Sequence, residues 1–306
     1  MTTDNSCVPW TEEQWSRINR VIQEEASRAR VAATFLPLLG PLPGDTDFVR
    51  QELIQYPALP TTPPPPAPQR IGIDDRPVIQ LATLQVKVPV RGAQMADPEM
   101  TSVLALVRRA ANVRARLEDA VVFRGLVQVP GQNLFAPPIA VGPPVWEIPG
   151  GQVSNGLWTV TAPWARWIVI PWWPPAGRDA RLVRGISAAI GRLEAGGHFG
   201  PFAVVLDQRL FVVAVSPSPA LVLPQDRIIP FLGGGPLLRS STLDNPFIRT
   251  GVVVALGGAP VELVVATDAC FQFLQLTPEP IFIFRVCEKM ALRIKDPDAI
   301  MQLAMW

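Results

Sequence analysis

The sequence predicts an α+β protein in which sheets pack on one long helix. Three observations carry this. Residues 97–125, DPEMTSVLALVRRAANVRARLEDAVVFRG, place Met100, Val103, Leu104, Val107, Ala110, Ala111, Leu117 and Val121 at three- and four-residue steps, one face of a helix. A second amphipathic stretch, Thr11–Ala33, precedes it. Apolar runs at 78–90, 252–256, 261–266 and 281–286 read as strands.

Each element has its own signals. Asp97-Pro98 starts the long helix, since proline fits a first helical turn and an acid suits a helix N-terminus. Gly125 stops it. At ~1.5 Å per residue it spans roughly 40 Å, and Arg108, Arg109, Arg116 and Glu118 sit mostly off its apolar stripe. Residues 1–9 read as an arm, and Thr11 as the N-cap of the first helix. Trp15, Ile18, Val21, Ile22, Ala26 and Ala29 form that helix's apolar stripe, and Gly40-Pro41-Leu42-Pro43-Gly44 turns the chain after it. Residues 57–68, PALPTTPPPPAP, exclude helix and inner strand and predict an extended arm. Residues 126–175 crowd glycine, proline and Trp146, Trp158, Trp164, Trp167, Trp172 and Trp173, with short strands expected around 157–170. A helix over Ala180–Ala195, a strand over Phe202–Leu206, an uncharged loop at 216–224 and a last strand at Ala299–Leu303 complete the reading.

With 306 residues the chain is long enough to bury a large core in one domain or two. Its net charge of +1 gives no electrostatic grip on nucleic acid. The lysines are Lys87, Lys289 and Lys295, so arginine carries the positive charge, a choice suited to partly buried pairing. Cys7, Cys270 and Cys287 show neither metal spacing nor a disulfide framework. The polar Met1–Asn5 segment is not a signal peptide, and no apolar run reaches the length of a membrane span. At 48% hydrophobic residues the chain is apolar for its size, which points to burial against copies of itself.

The catalytic inventory is thin. His198 is the single histidine, in a Gly-Gly-His-Phe-Gly-Pro turn, and its expected role is structural. No Gly-x-Ser-x-Gly elbow, Walker A loop, dinucleotide fingerprint, zinc helix or calcium loop occurs. Asp74-Asp75 and Glu118-Asp119 are adjacent rather than facing, and Glu118-Asp119 is expected to pair with arginines. The clustered tryptophans leave a soluble enzyme with a Trp-rich ligand site as an alternative, set against ordinary packing. The inventory calls for no catalytic residue, no metal and no cofactor.

Four blocks in order resemble the encapsulins, bacterial nanocompartment shell proteins that share the fold of tailed-phage major capsid proteins. They are TEEQWSRINRVIQEEASRARVAATF running to Gly40-Pro41, the helix end Leu117–Gly125, GHFGPFAVVL at 197–206, and LRIKDPDAI at 292–300. They cover roughly half the chain, and the last two look most like shells that house ferritin-like iron-storage cargo.

The resemblance implies a phage major-capsid-like fold: 1–45 an N-terminal arm and inner-wall helix, 46–76 an E-loop, 77–154 with 246–289 a P-domain holding the spine helix, and 155–245 with 290–306 an A-domain. It implies a large icosahedral homo-oligomer in the bacterial cytoplasm. Its partner would be a cargo protein carrying a targeting peptide, ferritin-like or a peroxidase, and neither nucleic acid nor membrane. The family's cargo-peptide groove falls at Phe35, Ala269, Phe271 and Phe273, and its five-fold pore loop at Ser216, Pro217, Ser218, Pro219, Ala220 and Leu221. Where the family carries arginine and aspartate in that groove, this chain has Ala33 and Pro37. Residues 126–154 read as an insertion. The alternative of the same fold is a phage or prophage major capsid protein. Against it stand a start close to the inner-wall helix, leaving no scaffolding segment, and an E-loop without lysine for an isopeptide link.

Overall fold

The computed structural model describes residues 8–56, 71–160, 166–171, 173–174, 177–217 and 222–305. Helix α1 (Glu12–Ala29) begins with a reciprocal cap: Thr11 Oγ1 accepts from the Gln14 N–H at 3.3 Å, and Gln14 Oε1 accepts from the Thr11 N–H at 2.9 Å. The helix stops short of the expected Ala33, because the Asp119 carboxylate takes the N–H groups of Val31 and Ala32 and the chain tightens into a 3-10 turn, Ala32–Thr34. Strand β1 (Leu38–Leu39) follows. Then β2 (Phe48–Arg50), β3 (Leu53–Gln55), β4 (Gly72–Asp74) and β5 (Val78–Gln80) form an antiparallel ribbon, β2 on β5 and β3 on β4. The proline-rich stretch 57–68 lies outside the described residues.

After β6 (Ala82–Arg91) and the short α2 (Gly92–Met95) comes the long helix, α3 (Thr101–Arg124). It starts four residues later than the Asp97-Pro98 signal predicts. Met100 is left-handed, and Asp97 acts from outside the helix, accepting from the N–H groups of Glu99 and Thr101. Its 24 residues span about 36 Å. Its C-terminal half is buried at every position but Arg116, including Arg114, Glu118, Asp119 and Arg124, so the one-sided stripe describes only the first half.

Next come β7 (Val127–Gln128), β8 (Leu134–Ala136), β9 (Trp146–Pro149), β10 (Trp167–Ile170), α4 (Arg178–Ala195), β11 (Phe202–Leu206), α5 (Gln208–Val215) and α6 (Pro224–Ile228). The chain ends with β12 (Leu237–Arg239), β13 (Arg249–Ala255), β14 (Val261–Leu276), β15 (Ile281–Ile294) and β16 (Ile300–Met305). A seven-stranded sheet has the order β1-β14-β15-β6-β9-β8-β7, and a five-stranded sheet the order β10-β16-β13-β11-β12. The 126–154 insertion thus supplies three strands that extend the first sheet beyond β6.

Two segments pair with the other sheet from the one the expected division gave them. Strand β13, placed with 246–289, is central in the five-stranded sheet between β16 and β11. Residues 290–294, placed with the A-domain, continue β15 in the seven-stranded sheet. The turn between β13 and β14, with Gly258 and Ala259 at positive φ, carries the chain from one sheet to the other. Strand β13 is apolar on both faces because both are covered. Val252 and Val254 join the core around the end of α3, while Val253 and Ala255 join the core under α4 and α5.

Helix α3 links the two sheets. Its first half packs with α1, β6, β14 and β15 through Val103, Val107 and Ala110, and its second half with β11, β13 and β16 through Leu117, Val121 and Phe123. Gly125 closes it at φ +76°, and a Cβ there would lie 2.1 Å from the Ser154 carbonyl oxygen. Gly125→Ala is therefore expected to cost about 2–3 kcal/mol or more. Guanidinium unfolding followed by tryptophan fluorescence checks this; an unchanged midpoint would rule out the close approach.

Candidate functional site

The four residues expected to form one groove are separated. Ala269, Phe271 and Phe273 lie on β14, where Ala269 and Phe271 are buried and Phe273 is half-buried. Phe271 stacks on Phe284 at 4.8 Å and Phe273 meets the same ring edge-on at 5.5 Å. Trp10 also stacks on Phe284 at 4.8 Å, and Trp15 adds an edge contact. This aromatic cluster is core beneath α1. Phe35 belongs to a different cluster, with its ring 6.5 Å from Phe123 at the end of α3.

An open cleft of about 250 Å³ lies beside them, lined by Arg30, Ala33, Leu36, Leu38, Pro41, Leu263, Val265 and Asp268. The end of α1 and the 3-10 turn form one wall. Strands β1 and β14, paired parallel through Leu38–Leu263 and Leu39–Val264, form the other. Gly40 lets these strands meet: at φ +139° its Cβ would sit 2.2 Å from the Val265 carbonyl oxygen, which also accepts from the Leu42 N–H. Leu36, Leu263 and Val265 are buried, Leu38 is 59% exposed, and Arg30 and Asp268 are the ionised residues of the lining. Ala33 lines this cleft. Arg30, which the sequence reading passed over, supplies a guanidinium from one turn earlier.

The polar wall is the outer edge of a mostly buried charge cluster. Arg30 reaches Glu118 through Nε at 2.8 Å, and through Nη2 it reaches Asp268 at 2.8 Å and Glu288 at 3.0 Å. Arg114, fully buried, pairs with Glu118 at 2.9 Å and with Glu288. Glu118 thus pairs with arginines, as expected. Its neighbour Asp119 instead accepts from the backbone of Val31 at 3.0 Å and Ala32 at 2.8 Å. Burial pushes Asp119 up to about 7, against the pull of those two N–H groups. Glu118 is raised well above the usual carboxylate range by burial and then by the Glu288 charge. Burial also works to raise Asp268, but the hydrogen bond and charge of Arg30 outweigh it and hold that carboxyl below its usual range.

The other residues singled out from sequence have structural surroundings. His198 Nε2 lies 3.8 Å from Asp296, which accepts from the hydroxyl of Tyr56, the residue after β3. Trp158 and Trp167 meet edge-on at 5.0 Å, Arg124 lies over Trp158, and the Trp146 indole donates to the Val141 carbonyl. Trp164 and Trp172 lie outside the described residues, as do Ser218, Pro219, Ala220 and Leu221 of the uncharged loop. Ser216 and Pro217 leave α5 fully exposed. Among the described residues no cluster of metal-ligating side chains occurs, and no helix is long and apolar enough to cross a membrane.

No protein-family model matches the chain. A curated relative, the type 1 encapsulin shell protein EncA of Myxococcus xanthus strain DK1622, is 26% identical over 308 residues, covering 96% of this chain and 93% of the relative. The chain is thus similar over nearly its whole length to an encapsulin shell protein. Solved structures agree on the fold. A virus-like particle from Pyrococcus furiosus superposes with a TM-score of 0.66 at 13% identity, covering 95% of this chain and 99% of that chain. The SrpI encapsulin of Synechococcus elongatus PCC 7942 gives 0.52 at 11% identity, covering 89% and 85%. The capsid of Myoviridae phage XM1 gives 0.57 at 10% identity, covering 88% and 90%. These similar proteins are shell and capsid proteins.

The raised Asp119 makes stability depend on pH with a definite sign. Its folded value, about 7, lies above the ordinary 3.8. Its contribution is therefore full below about pH 4 and is lost as pH rises toward 7. In unfolding measurements across this window, the stability of the native protein minus that of Asp119→Asn is expected to fall with rising pH and level off above 7. A flat difference would contradict the assignment.

Proposed function

We propose that the chain closes into an icosahedral shell in the bacterial cytoplasm and that the cleft between α1, β1 and β14 receives a short peptide of an enclosed cargo protein. The full-length similarity to an encapsulin shell protein carries this reading. The cleft supports its second half: it is open, mostly apolar and bounded by a parallel strand pair, which suits a peptide anchored by a few side chains. Cargo of the ferritin-like or peroxidase class, serving iron storage or defence against oxidative stress, follows from the resemblance of the 197–206 and 292–300 blocks.

The division of labour follows the capsid plan. The ribbon of 46–76 is the E-loop. It leaves Phe48, Ile71 and Ile73 57%, 68% and 69% exposed, apolar area that a neighbouring subunit would cover. The seven-stranded sheet with α3 serves as the P-domain, and the five-stranded sheet with α4 and α5 as the A-domain. The loop at 216–224 lines the five-fold pore, and its lack of charge argues against ion selection by a charged ring. Repetition of modest contacts around closed symmetry holds the particle together.

Expression of the chain alone, followed by sizing and negative-stain imaging, is expected to give closed isometric particles; a small oligomer would sink self-sufficient assembly. Nuclease-resistant DNA inside the particles would favour the capsid alternative. Leu38→Glu, at an exposed position of the cleft wall, is expected to leave assembly intact and to lower cargo retention by about tenfold or more. Unchanged cargo recovered by mass spectrometry from native particles would place docking elsewhere.

A further inference from the structure

The face of the β14–β15 hairpin opposite the aromatic cluster carries a thiol pair. Cys270 and Cys287 are direct cross-strand partners, with their sulfurs 3.5 Å apart. Cys270 is half-buried and Cys287 buried. Polar side chains surround them. Gln272 Nε2 donates to the Cys270 sulfur at 3.4 Å. Arg285, the next position but one before Cys287, is held by Gln272 Oε1 at 2.7 Å and by Gln85 Oε1 at 2.9 Å. The third cysteine, Cys7, lies outside the described residues.

We infer that Cys270 and Cys287 form an oxidation site that takes a small hydroperoxide and closes to a cross-strand disulfide. The register already places the thiols face to face: directly opposed residues of an antiparallel pair bring their Cβ atoms within about 4.5–5.5 Å, so a small approach of the two strands reaches the roughly 3.5–4.5 Å a disulfide spans. The nucleophile is Cys270, the more exposed of the two. The hydrogen bond from Cys287 pulls its thiol below the usual range, burial opposes this, and the Arg285 charge adds to the pull. The Cys287 thiol is pushed up, by the hydrogen bond to Cys270 and then by burial, so it remains protonated as the resolving partner.

The chemistry balances. The Cys270 thiolate attacks one peroxide oxygen, the O–O bond breaks, and the leaving hydroxide takes up the proton lost by Cys270 to give water. The resulting sulfenic acid is attacked by the Cys287 sulfur. The S–S bond forms as the S–OH bond breaks, and the Cys287 proton leaves with the hydroxyl as a second water. The dithiol gives up two electrons and two protons, and hydrogen peroxide is reduced to two waters. The product pins β14 to β15 beside Asp268, at the edge of the cleft. It holds whether or not the cleft binds cargo.

The test uses assembled full-length protein carrying Cys7→Ser, exposed to hydrogen peroxide, alkylated and mapped by mass spectrometry. The expected product is a peptide pair linking positions 270 and 287, with an intact mass lower by two hydrogens. It should be reversed by dithiothreitol and accompanied by a rise in Tm of several degrees. Cys287→Ser in the same background should stop at a sulfenic acid on Cys270 that dimedone captures. Both thiols remaining alkylatable after exposure would overturn the proposal. So would a link between subunits, or, in the unsubstituted chain, a link to Cys7 in place of the 270–287 pair.

Discussion

Two guanidiniums and four carboxylates gather where α1, α3, β14 and β15 meet, Arg114, Glu118, Asp119 and Glu288 buried and Asp268 half-exposed, and the working parts of the chain hang on their pairing. Arg114 and Glu118 come from α3, Arg30 from the end of α1, and Asp268 and Glu288 from the long hairpin. Asp119 grips the backbone that leaves α1. Charges removed from water are tolerated only when paired, and removing one partner of a buried pair costs about 3–5 kcal/mol. Such a cluster admits few arrangements, so it sets where α1 stops, where the 3-10 turn begins and where the cleft opens. It is a device of register more than of raw stability.

The sheets express a second constraint. The seven-stranded sheet packs α1 and α3 on the face that carries Val86, Val88, Phe271 and Phe284, and leaves Gln85, Lys87, Arg285 and the thiol pair on the other. The inner strands of the five-stranded sheet, β11, β13 and β16, are covered on both faces and are apolar at most positions. Helix α3 joins both cores, so the two sheets are braced as one unit on a common strut.

Much of the fold was legible because it rests on local periodicity. The long helix, the N-cap at Thr11, the Ala180–Ala195 helix and the strands at 202–206, 252–256, 261–266, 281–286 and 299–303 announce themselves in patterns of apolar residues and turn residues. The misses have particular causes. Helix α5 has eight residues, too few for a helical period to stand out, although Asp207 marks its N-cap by accepting from the Leu210 N–H. Glu118 read as off-stripe because a stripe assumes one wet face, and this part of α3 has none. The groove residues were placed together by position on a family plan. The pairing of Trp10 with Phe284, from segments far apart in the chain, turns most of that set into core.

The sequence by itself determined the class of fold, the spine helix, the order of elements and the lack of catalytic equipment, since these follow from spacing and residue type within short windows. Only the tertiary structure decided which sheet each strand joins, that Arg30 stands at the cleft, and that Cys270 faces Cys287. Those facts depend on strand register and on buried charges finding partners 88 to 258 positions away. Contacts at that range are chosen by packing and desolvation across the whole core, which no local pattern records.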